Sequence, residues 1–184
     1  MNLIKYIKSD TITYNEYEFE LLLNNIDDVD FCNSILTYAC CCYGKLNHLI
    51  FLISRGAYVT RKAFNIAIMQ DHVDIVEYVC YAIFVAHKIK ERVYMINKIE
   101  DINKASQLIH EIKQYEDYNV SKRFAFFELD KWVLKLAIKY GNIEMVKVLI
   151  DYMENVDKNI KSIVKHNRSI ISNDMYNELI TLIS

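Results

Sequence analysis

Apolar residues recur along the chain at steps of three and four, which places them on one side of an α-helix. A first run of this kind lies between residues 14 and 26, a second begins at Phe31, and a third lies between Leu46 and Ile53. Further runs follow in the second half of the chain. The pattern therefore predicts a protein made mostly of amphipathic helices.

Short turns separate these predicted helices. Gly44 follows the second run and Gly56 follows the third, and a glycine closes a helix readily because it adopts the left-handed conformation without strain. Asp71 takes the corresponding place later in the chain, where aspartate tolerates that conformation better than most residues. Gly141 takes it again. The recurring unit is a helix, a tight turn and a second helix.

This unit recurs three times on a common template. The three copies read YACCCYGKLNHLIFLISRGA, FNIAIMQDHVDIVEYV and LKLAIKYGNIEMVKVLIDY. A small side chain stands four places before each turn residue, at Cys40, Ala67 and Ala137, and aliphatic residues follow each turn. Internal repeats of this length indicate a stack in which neighbouring units cover one another's apolar faces. The clear repeats span about 33–57, 62–82 and 131–153 of a single domain, 1–184.

These strings resemble the ankyrin repeat, and the pieces A-x-x-x-G-N-I-E-M-V-K-V-L-I and G-A-Y-V carry the likeness. The resemblance implies an all-α fold, a short stack of degenerate ankyrin-like helix-turn-helix repeats with a helical insertion. The chain departs from the family in two respects: only 27 positions separate Gly44 from Asp71, against about 33 in an ankyrin unit, and the Thr-Pro-Leu-His opening is absent. The alternative is an irregular all-helical bundle.

The middle segment, 83–130, stops following the template. A helical stripe of apolar residues continues through alternating charges, which indicates two helices with a kink near Asp101. The segment is either a degenerate repeat or an insertion. C-terminal helices are predicted over 157–184, with a cap at Ser172 to Asp174 before the last one. An aromatic group near the third repeat either packs into the core or anchors a partner: Phe124, Phe126, Phe127 and Trp132.

Composition adds a second likeness. The chain has three glycines and no proline, and it is rich in Ile, Asn, Lys and Tyr. Together with the eroded repeats, this resembles the ankyrin-type proteins of large DNA viruses, namely poxviruses, giant viruses and the African swine fever virus multigene families. The resemblance implies a host-virus interaction: binding a host signalling or degradation protein in the cytoplasm, or in the nucleus, and thereby evading innate immune responses.

Charge and cysteine content indicate the cellular environment in which the protein functions. The net charge of −2 provides no global attraction for nucleic acid or anionic lipid, and the uncharged runs are shorter than the roughly 18 residues of a membrane helix. Lysines at positions 5 and 8 interrupt any apolar core of a signal peptide. Five cysteines, three of them consecutive, fit a reducing compartment and buried apolar roles. We therefore expect a soluble, cytoplasmic protein.

Motifs for catalysis are absent from the sequence. The five histidines are widely separated, and no H-E-x-x-H, G-x-S-x-G, P-loop or dinucleotide-binding pattern occurs. We therefore predict no enzymatic activity, no metal, no cofactor and no small-molecule substrate.

Candidate partner-binding residues lie around the predicted turns, where a repeat stack exposes side chains that its core does not need. Tyrosine and arginine, which are enriched at interface hot spots, are the first choices. The predicted set is Tyr43, Tyr58, Arg61, Met69, Gln70, Lys139 and Tyr140. Two alternatives stay open: self-association as a homodimer through a terminal repeat, and nucleic-acid binding through a helix face that carries Lys158, Lys161, Lys165 and Arg168.

Overall fold

A computed structural model describes most of the chain and contains helices without strands in the part that it describes. The predicted all-α class is therefore confirmed. Backbone alone is described at 29–33, 157–160 and 182. The described residues are 3–9, 14–24, 29–98, 104, 106–107, 109–110, 124, 129–140, 143–153 and 157–182.

Ten longer helices lie within these ranges. They are α1 Leu3–Lys8, α2 Glu16–Leu23, α3 Val29–Tyr43, α4 Leu46–Ser54, α5 Arg61–Met69, α6 Val73–Ile96, α7 Lys131–Tyr140, α8 Ile143–Tyr152, α9 Asp157–His166 and α10 Asn173–Leu182.

The helices form two layers. In the first layer α1, α3, α5, α7 and α9 contact one another in that order. In the second layer α6 contacts α8 and α8 contacts α10, while the ring of Phe19 in α2 packs 5.6 Å from the ring of Phe51 in α4. Each odd-numbered helix also contacts the even-numbered helix that follows it. Five helix pairs thus lie side by side, and each pair contributes one helix to each layer.

The same turn ends three of the helices. At Gly44, Asp71 and Gly56 the φ angles are positive, at 66°, 59° and 118°. After α3 the amide of Lys45 donates to the carbonyl oxygen of Cys40, and after α5 the amide of His72 donates to that of Ala67, both at 3.0 Å. This six-to-one hydrogen bond closes a helix around a residue of positive φ. The predictions for Gly44, Gly56 and Asp71 are confirmed, whereas Gly141 lies outside the described residues.

The small side chains of the template lie at the contacts between helices. Cys40, Ala67 and Ala137 are fully buried, one in each of α3, α5 and α7. Small side chains let neighbouring backbones approach closely, and larger apolar side chains such as Phe64 and Leu149 fill the remaining space. A single continuous core, to which every described helix pair contributes, therefore joins the two layers.

The middle of the chain differs from the sequence prediction. Helix α6 continues without interruption to Ile96, so the repeat boundary placed at residue 82 falls inside it. The ring of Tyr152, at the end of α8, packs 6.1 Å from that of Phe84, and α6 extends about three turns beyond this point. Helix α7 packs directly against α5. No helix pair of the described part separates the second and third predicted repeats, and Asp101 lies outside that part.

Both ends of the chain add helices to the stack. The sequence pattern did not reveal α1, whose Tyr6 and Ile7 are buried beside α3. At the other end, the hydroxyl oxygen of Ser172 accepts a hydrogen bond from the amide of Met175 at 3.2 Å, which confirms the predicted cap of α10.

Candidate interaction surface

The C-terminal ends of the first-layer helices lie side by side. The Nε2–H of His72, just after α5, donates to the carbonyl oxygen of Cys42 near the end of α3 at 3.1 Å. Arg61 and Asp130 form an ion pair that joins the beginnings of α5 and α7, and these helices are nine and ten residues long. Their ends are therefore adjacent too. This edge of the first layer, which we call the rim, presents the last residues of α3, α5 and α7.

Five of the seven predicted partner-binding residues lie on the rim, and all five are exposed: Tyr43, Met69, Gln70, Lys139 and Tyr140. Cations sit over two of the rings. The ammonium group of Lys8 lies 5.8 Å from the ring centre of Tyr43, and that of Lys139 lies 4.5 Å from the ring centre of Tyr140. Exposed aromatic and methionine side chains on three adjacent helices form a surface suited to contact a partner.

The other two predicted residues lie elsewhere. Tyr58 and Arg61 are exposed at the beginning of α5, about 12 Å along the helix from Met69. Tyr58 is in the connection before α5, where its carbonyl oxygen accepts a hydrogen bond from the hydroxyl of Thr37 at 3.2 Å. The predicted set therefore divides between the two ends of the first layer.

Arg61 has a structural role that the sequence did not indicate. Its guanidinium pairs with one carboxylate oxygen of Asp130, and the other oxygen accepts hydrogen bonds from the amides of Trp132 and Val133 at 3.1 and 3.2 Å. Partial burial raises the pKa of the Asp130 carboxyl, but the hydrogen bonds from Arg61 and the two amides outweigh that effect and leave the pKa below its usual value. Arg61 thus ties α5 to the capped beginning of α7.

Charge is divided between the two layers. The five first-layer helices carry ten lysine and arginine residues and two acidic residues, whereas the five second-layer helices carry four basic and ten acidic residues. The net charge of −2 conceals this division. One side of the protein is basic and the other is acidic.

The basic side is concentrated on α7 and α9, on a surface that we call the lysine face. It consists of Lys131, Lys135 and Lys139 of α7, all exposed, and the contacting helix α9 carries two further exposed lysines, Lys161 and Lys165. Among the described residues no carboxylate pairs with any of these lysines. Lys147 of the second layer differs, because its ammonium group contacts Glu178 and Glu144 at 2.8 and 2.9 Å, and these hydrogen bonds raise the pKa of Lys147. The sequence signal is the four-residue spacing of the lysines within KWVLKLAIKY, which by itself does not indicate the contact between α7 and α9.

A cleft of about 410 Å³ lies between α7 and α9 within the lysine face. Its walls contribute cationic and hydrogen-bonding groups with one apolar side chain, namely Lys131, Lys135, Ser162, Ile163, His166 and Asn167. Outside the cleft lining, α7 also exposes the indole of Trp132 next to Lys131, whereas Leu136 is half-buried and packs against the core. The lysines of α7 therefore have one exposed aromatic side chain beside them.

The remaining residues singled out in the sequence are the aromatic group near α7 and Arg168. Phe124 is buried in the core, whereas Trp132 is 58% exposed, and Phe126 and Phe127 lie outside the described residues. Arg168 does not extend the lysine face as a free cation, because its guanidinium bonds to the side chain of Asn173 and lies 4.3 Å from the ring centre of Tyr176.

Three of the thiols, those of Cys40, Cys41 and Cys80, are enclosed, and Cys42 is half-buried. Burial is the main cause that raises the pKa of Cys41 to about 12 and the pKa of Cys40 and Cys80 well above the ordinary thiol value. A thiol in such surroundings stays protonated and unreactive at neutral pH. These three cysteines serve as small apolar residues at helix contacts.

His48 occupies a buried aromatic cluster beneath α1 and α2. Its ring centre lies 4.6 Å from that of Tyr14, 4.8 Å from that of Phe19 and 5.6 Å from that of Tyr6. Burial, and then the nearby Lys45 cation, lower the pKa of His48 to about 4, so the imidazole is neutral at pH 7. Its surroundings are those of a packed side chain.

Neither a metal-binding cluster nor a membrane-spanning helix occurs within the described residues. No group of three or more His, Cys, Asp or Glu side chains there is arranged to hold a metal ion. Within the same ranges, no helix combines the length and the apolar character that a bilayer crossing requires. No family model matches the chain, and neither the curated proteins nor the solved structures include a match.

Proposed function

We propose that this chain is a non-enzymatic protein–protein interaction module that binds its partner through the first layer. The observation that supports this most is that the two sides of the first layer have different surroundings. One side packs against the second layer, while the other exposes aromatic, methionine and lysine side chains on adjacent helices. Side chains on such a face determine binding without contributing to the core.

The rim supplies the contact residues of the proposal. Tyr43 and Tyr140 are 37% and 45% exposed, and Met69 between them is 41% exposed. Aromatic and methionine side chains are enriched at interfaces, and a tyrosine buries a large contact area at a small cost in conformational entropy because it has only two χ angles. Arg61 is no longer a first choice, since its guanidinium already pairs with Asp130.

The proposed partner is a host protein of a signalling or degradation pathway. This part of the proposal follows from the resemblance to ankyrin-type proteins of large DNA viruses, and it includes suppression of an innate antiviral response in the host cytoplasm. The enclosed thiols and the neutral, packed His48 favour binding over catalysis, because a nucleophile or a general base must reach a substrate.

A capture experiment tests the proposal. The purified chain would be immobilised and exposed to a lysate of mammalian cells with active innate signalling, beside a Tyr43→Ala/Tyr140→Ala variant and a Tyr81→Ala/Tyr94→Ala control. The control removes two exposed tyrosines from α6 of the second layer. We expect a stoichiometric host protein that the wild type and the control retain and that the rim variant loses.

Two results would contradict the proposal. Equal retention by all three proteins would remove the rim from the interface. Retention of no specific protein, together with a sedimentation profile of an oligomer, would favour the self-associating homodimer instead. Circular dichroism and thermal unfolding of each variant would confirm that the substitutions leave the fold intact, as expected for exposed side chains.

A further inference from the structure

The lysine face carries more positive charge than the stability of its helices explains. On an exposed helix, lysines four residues apart repel each other, and opposite charges at that spacing normally relieve the repulsion. Helix α7 places Lys131, Lys135 and Lys139 at this spacing and contains no acidic residue. Lys161 and Lys165 of the neighbouring α9 have the same spacing, with Asp157 four residues before Lys161. Five exposed cations on two adjacent helices thus lack a described carboxylate partner.

Two of these five lysines line the cleft between the helices. Lys131 and Lys135 line it from α7, while the hydroxyl of Ser162, the ring of His166 and the amide of Asn167 line it from α9. The Nδ1–H of His166 donates to the carbonyl oxygen of Ser162 at 3.3 Å and the side-chain amide of Asn167 donates to that of Ile163 at 2.8 Å, so Lys131, Lys135 and the hydroxyl of Ser162 are the donors offered to a ligand. Ammonium groups and hydroxyl donors around a concave wall suit anionic oxygens.

We propose that the lysine face binds an acidic segment of the partner protein, with carboxylates seated in the cleft between α7 and α9. The inference rests on the proposed function and names the chemistry of its partner. Successive lysines of α7 rise about 6 Å along the helix, which matches carboxylates four residues apart on a helical segment of the partner. The exposed indole of Trp132 lies next to Lys131 on α7 and receives an apolar side chain of that segment.

Three observations favour an acidic peptide over a nucleic acid. The face consists of lysines, whereas guanidinium groups give the bidentate contacts of nucleic-acid recognition, and Arg61 and Arg168 are both engaged within the chain. The exposed indole of Trp132 lies beside the cations of α7. The net charge of −2 and the acidic second layer provide no long-range attraction for a polyanion.

The test measures fluorescence anisotropy of labelled synthetic peptides with the whole chain. The acidic peptides combine Glu and Leu and differ in the spacing of Glu, from every second to every fourth residue. A peptide with Lys in place of Glu and an oligothymidylate strand of similar length serve as comparison probes. The charge-reversal variant is Lys131→Glu/Lys135→Glu, and the matched control is Lys90→Glu/Lys98→Glu, which changes the same number of exposed charges at the end of α6.

We expect the chain to bind an acidic peptide and to prefer the four-residue spacing. The charge-reversal variant should bind about tenfold more weakly or worse, whereas the control should stay within about twofold of the wild type. Binding should also weaken as salt rises from about 50 to about 200 mM, because exposed charges are screened. Circular dichroism would verify that both variants keep the helical content of the wild type.

Several outcomes would overturn the inference. Tighter binding of the oligothymidylate than of every acidic peptide would assign the face to nucleic acid, and salt-dependent self-association without peptide binding would assign it to a second copy of the chain. Failure of every acidic peptide, or equal losses in the two variants, would also overturn it. If the rim variant Tyr43→Ala/Tyr140→Ala still loses the captured host protein in those cases, the proposed function stands without this inference. If neither the rim variant nor the charge-reversal variant loses it, the proposed function itself is contradicted.

Discussion

At the turn after α3, local geometry leaves room for glycine alone. Gly44 has a φ of 66°, and a Cβ at this position would lie 2.7 Å from Nδ1 of His72. That ring cannot move away freely, because its Nε2–H bonds to the carbonyl oxygen of Cys42. We predict that Gly44→Ala lowers the free energy of unfolding by about 2 kcal/mol, combining positive-φ strain with the steric conflict. Urea denaturation measures this loss.

A double-mutant cycle separates the two causes. In a His72→Ala background the steric conflict disappears, so Gly44→Ala should cost only the strain, about 1 kcal/mol. An equal cost in both backgrounds would show that His72 does not confine the turn.

His48 makes stability depend on pH. Its pKa of about 4 in the folded state lies below the ordinary value of about 6.5 that the unfolded chain has. As pH falls through 6.5, the unfolded state gains a proton that the folded state does not bind until pH 4. The free energy of unfolding should therefore fall between about pH 6.5 and pH 4, by on the order of 2 kcal/mol from this residue.

A substitution that cannot titrate isolates the effect of His48. His48→Phe retains an aromatic ring among Tyr6, Tyr14 and Phe19 and should abolish most of the loss between pH 7 and pH 4.5, as measured by denaturation at each pH. A variant that loses as much stability as the wild type over that range would assign the dependence to other groups.

For single residues, the sequence predicts features that depend on the local backbone, such as the turn at Gly44, but not features that depend on distant helices, such as the burial of His48. The turns at Gly44, Gly56 and Asp71 follow from short-range constraints on the backbone, so sequence alone located them. The burial of His48 depends on rings from α1 and α2, which meet it only after the layers form. No feature near residue 48 in the sequence carries that information.

At the scale of the element, Asp130 controls the beginning of α7. Asp130→Ala removes the two amide hydrogen bonds and the pair with Arg61, so we expect it to lower the free energy of unfolding by about 1 to 2 kcal/mol. Arg61→Ala removes only an exposed ion pair and should cost about 0.5 kcal/mol. Asp130→Asn keeps an acceptor for the amides and should resemble Arg61→Ala. Thermal and urea unfolding of the three variants provide the comparison.

The ordering of these losses is the informative result. If Arg61→Ala destabilises the protein as much as Asp130→Ala, the ion pair rather than the cap determines the stability of this junction. Such a result would also restore interest in Arg61 as a residue that couples α5 to α7.

Periodicity predicted the existence of most described helices, but not their extent. The repeat template stops at residue 82, yet α6 continues to Ile96 because Val85, Ile89 and Ile96 form a small apolar cluster of their own. Helix α1 has only six residues, too few for the pattern to stand out, and contact with α3 rather than intrinsic propensity stabilises it.

At the scale of the whole molecule, the two layers of helices share one core and carry charge of opposite sign. The repeat pattern predicted paired helices, and the helix contacts place α7 directly on α5. The cleft could not be recognised from sequence, because Lys131 and Ser162 are 31 residues apart and line the same cleft only when α7 packs against α9. Part of the rim was predicted from the sequence, because five of its residues lie beside turns that the sequence indicates.

Photo-crosslinking in cells tests the central claim that the first layer binds the partner. A benzophenone amino acid would replace Trp132 of the first layer in one variant and Tyr81 of the second layer in another; these side chains are 58% and 47% exposed. We predict covalent adducts with a partner protein from position 132 and none from position 81. Adducts from position 81 without adducts from position 132 would contradict the account, because they would place the partner on the acidic second layer.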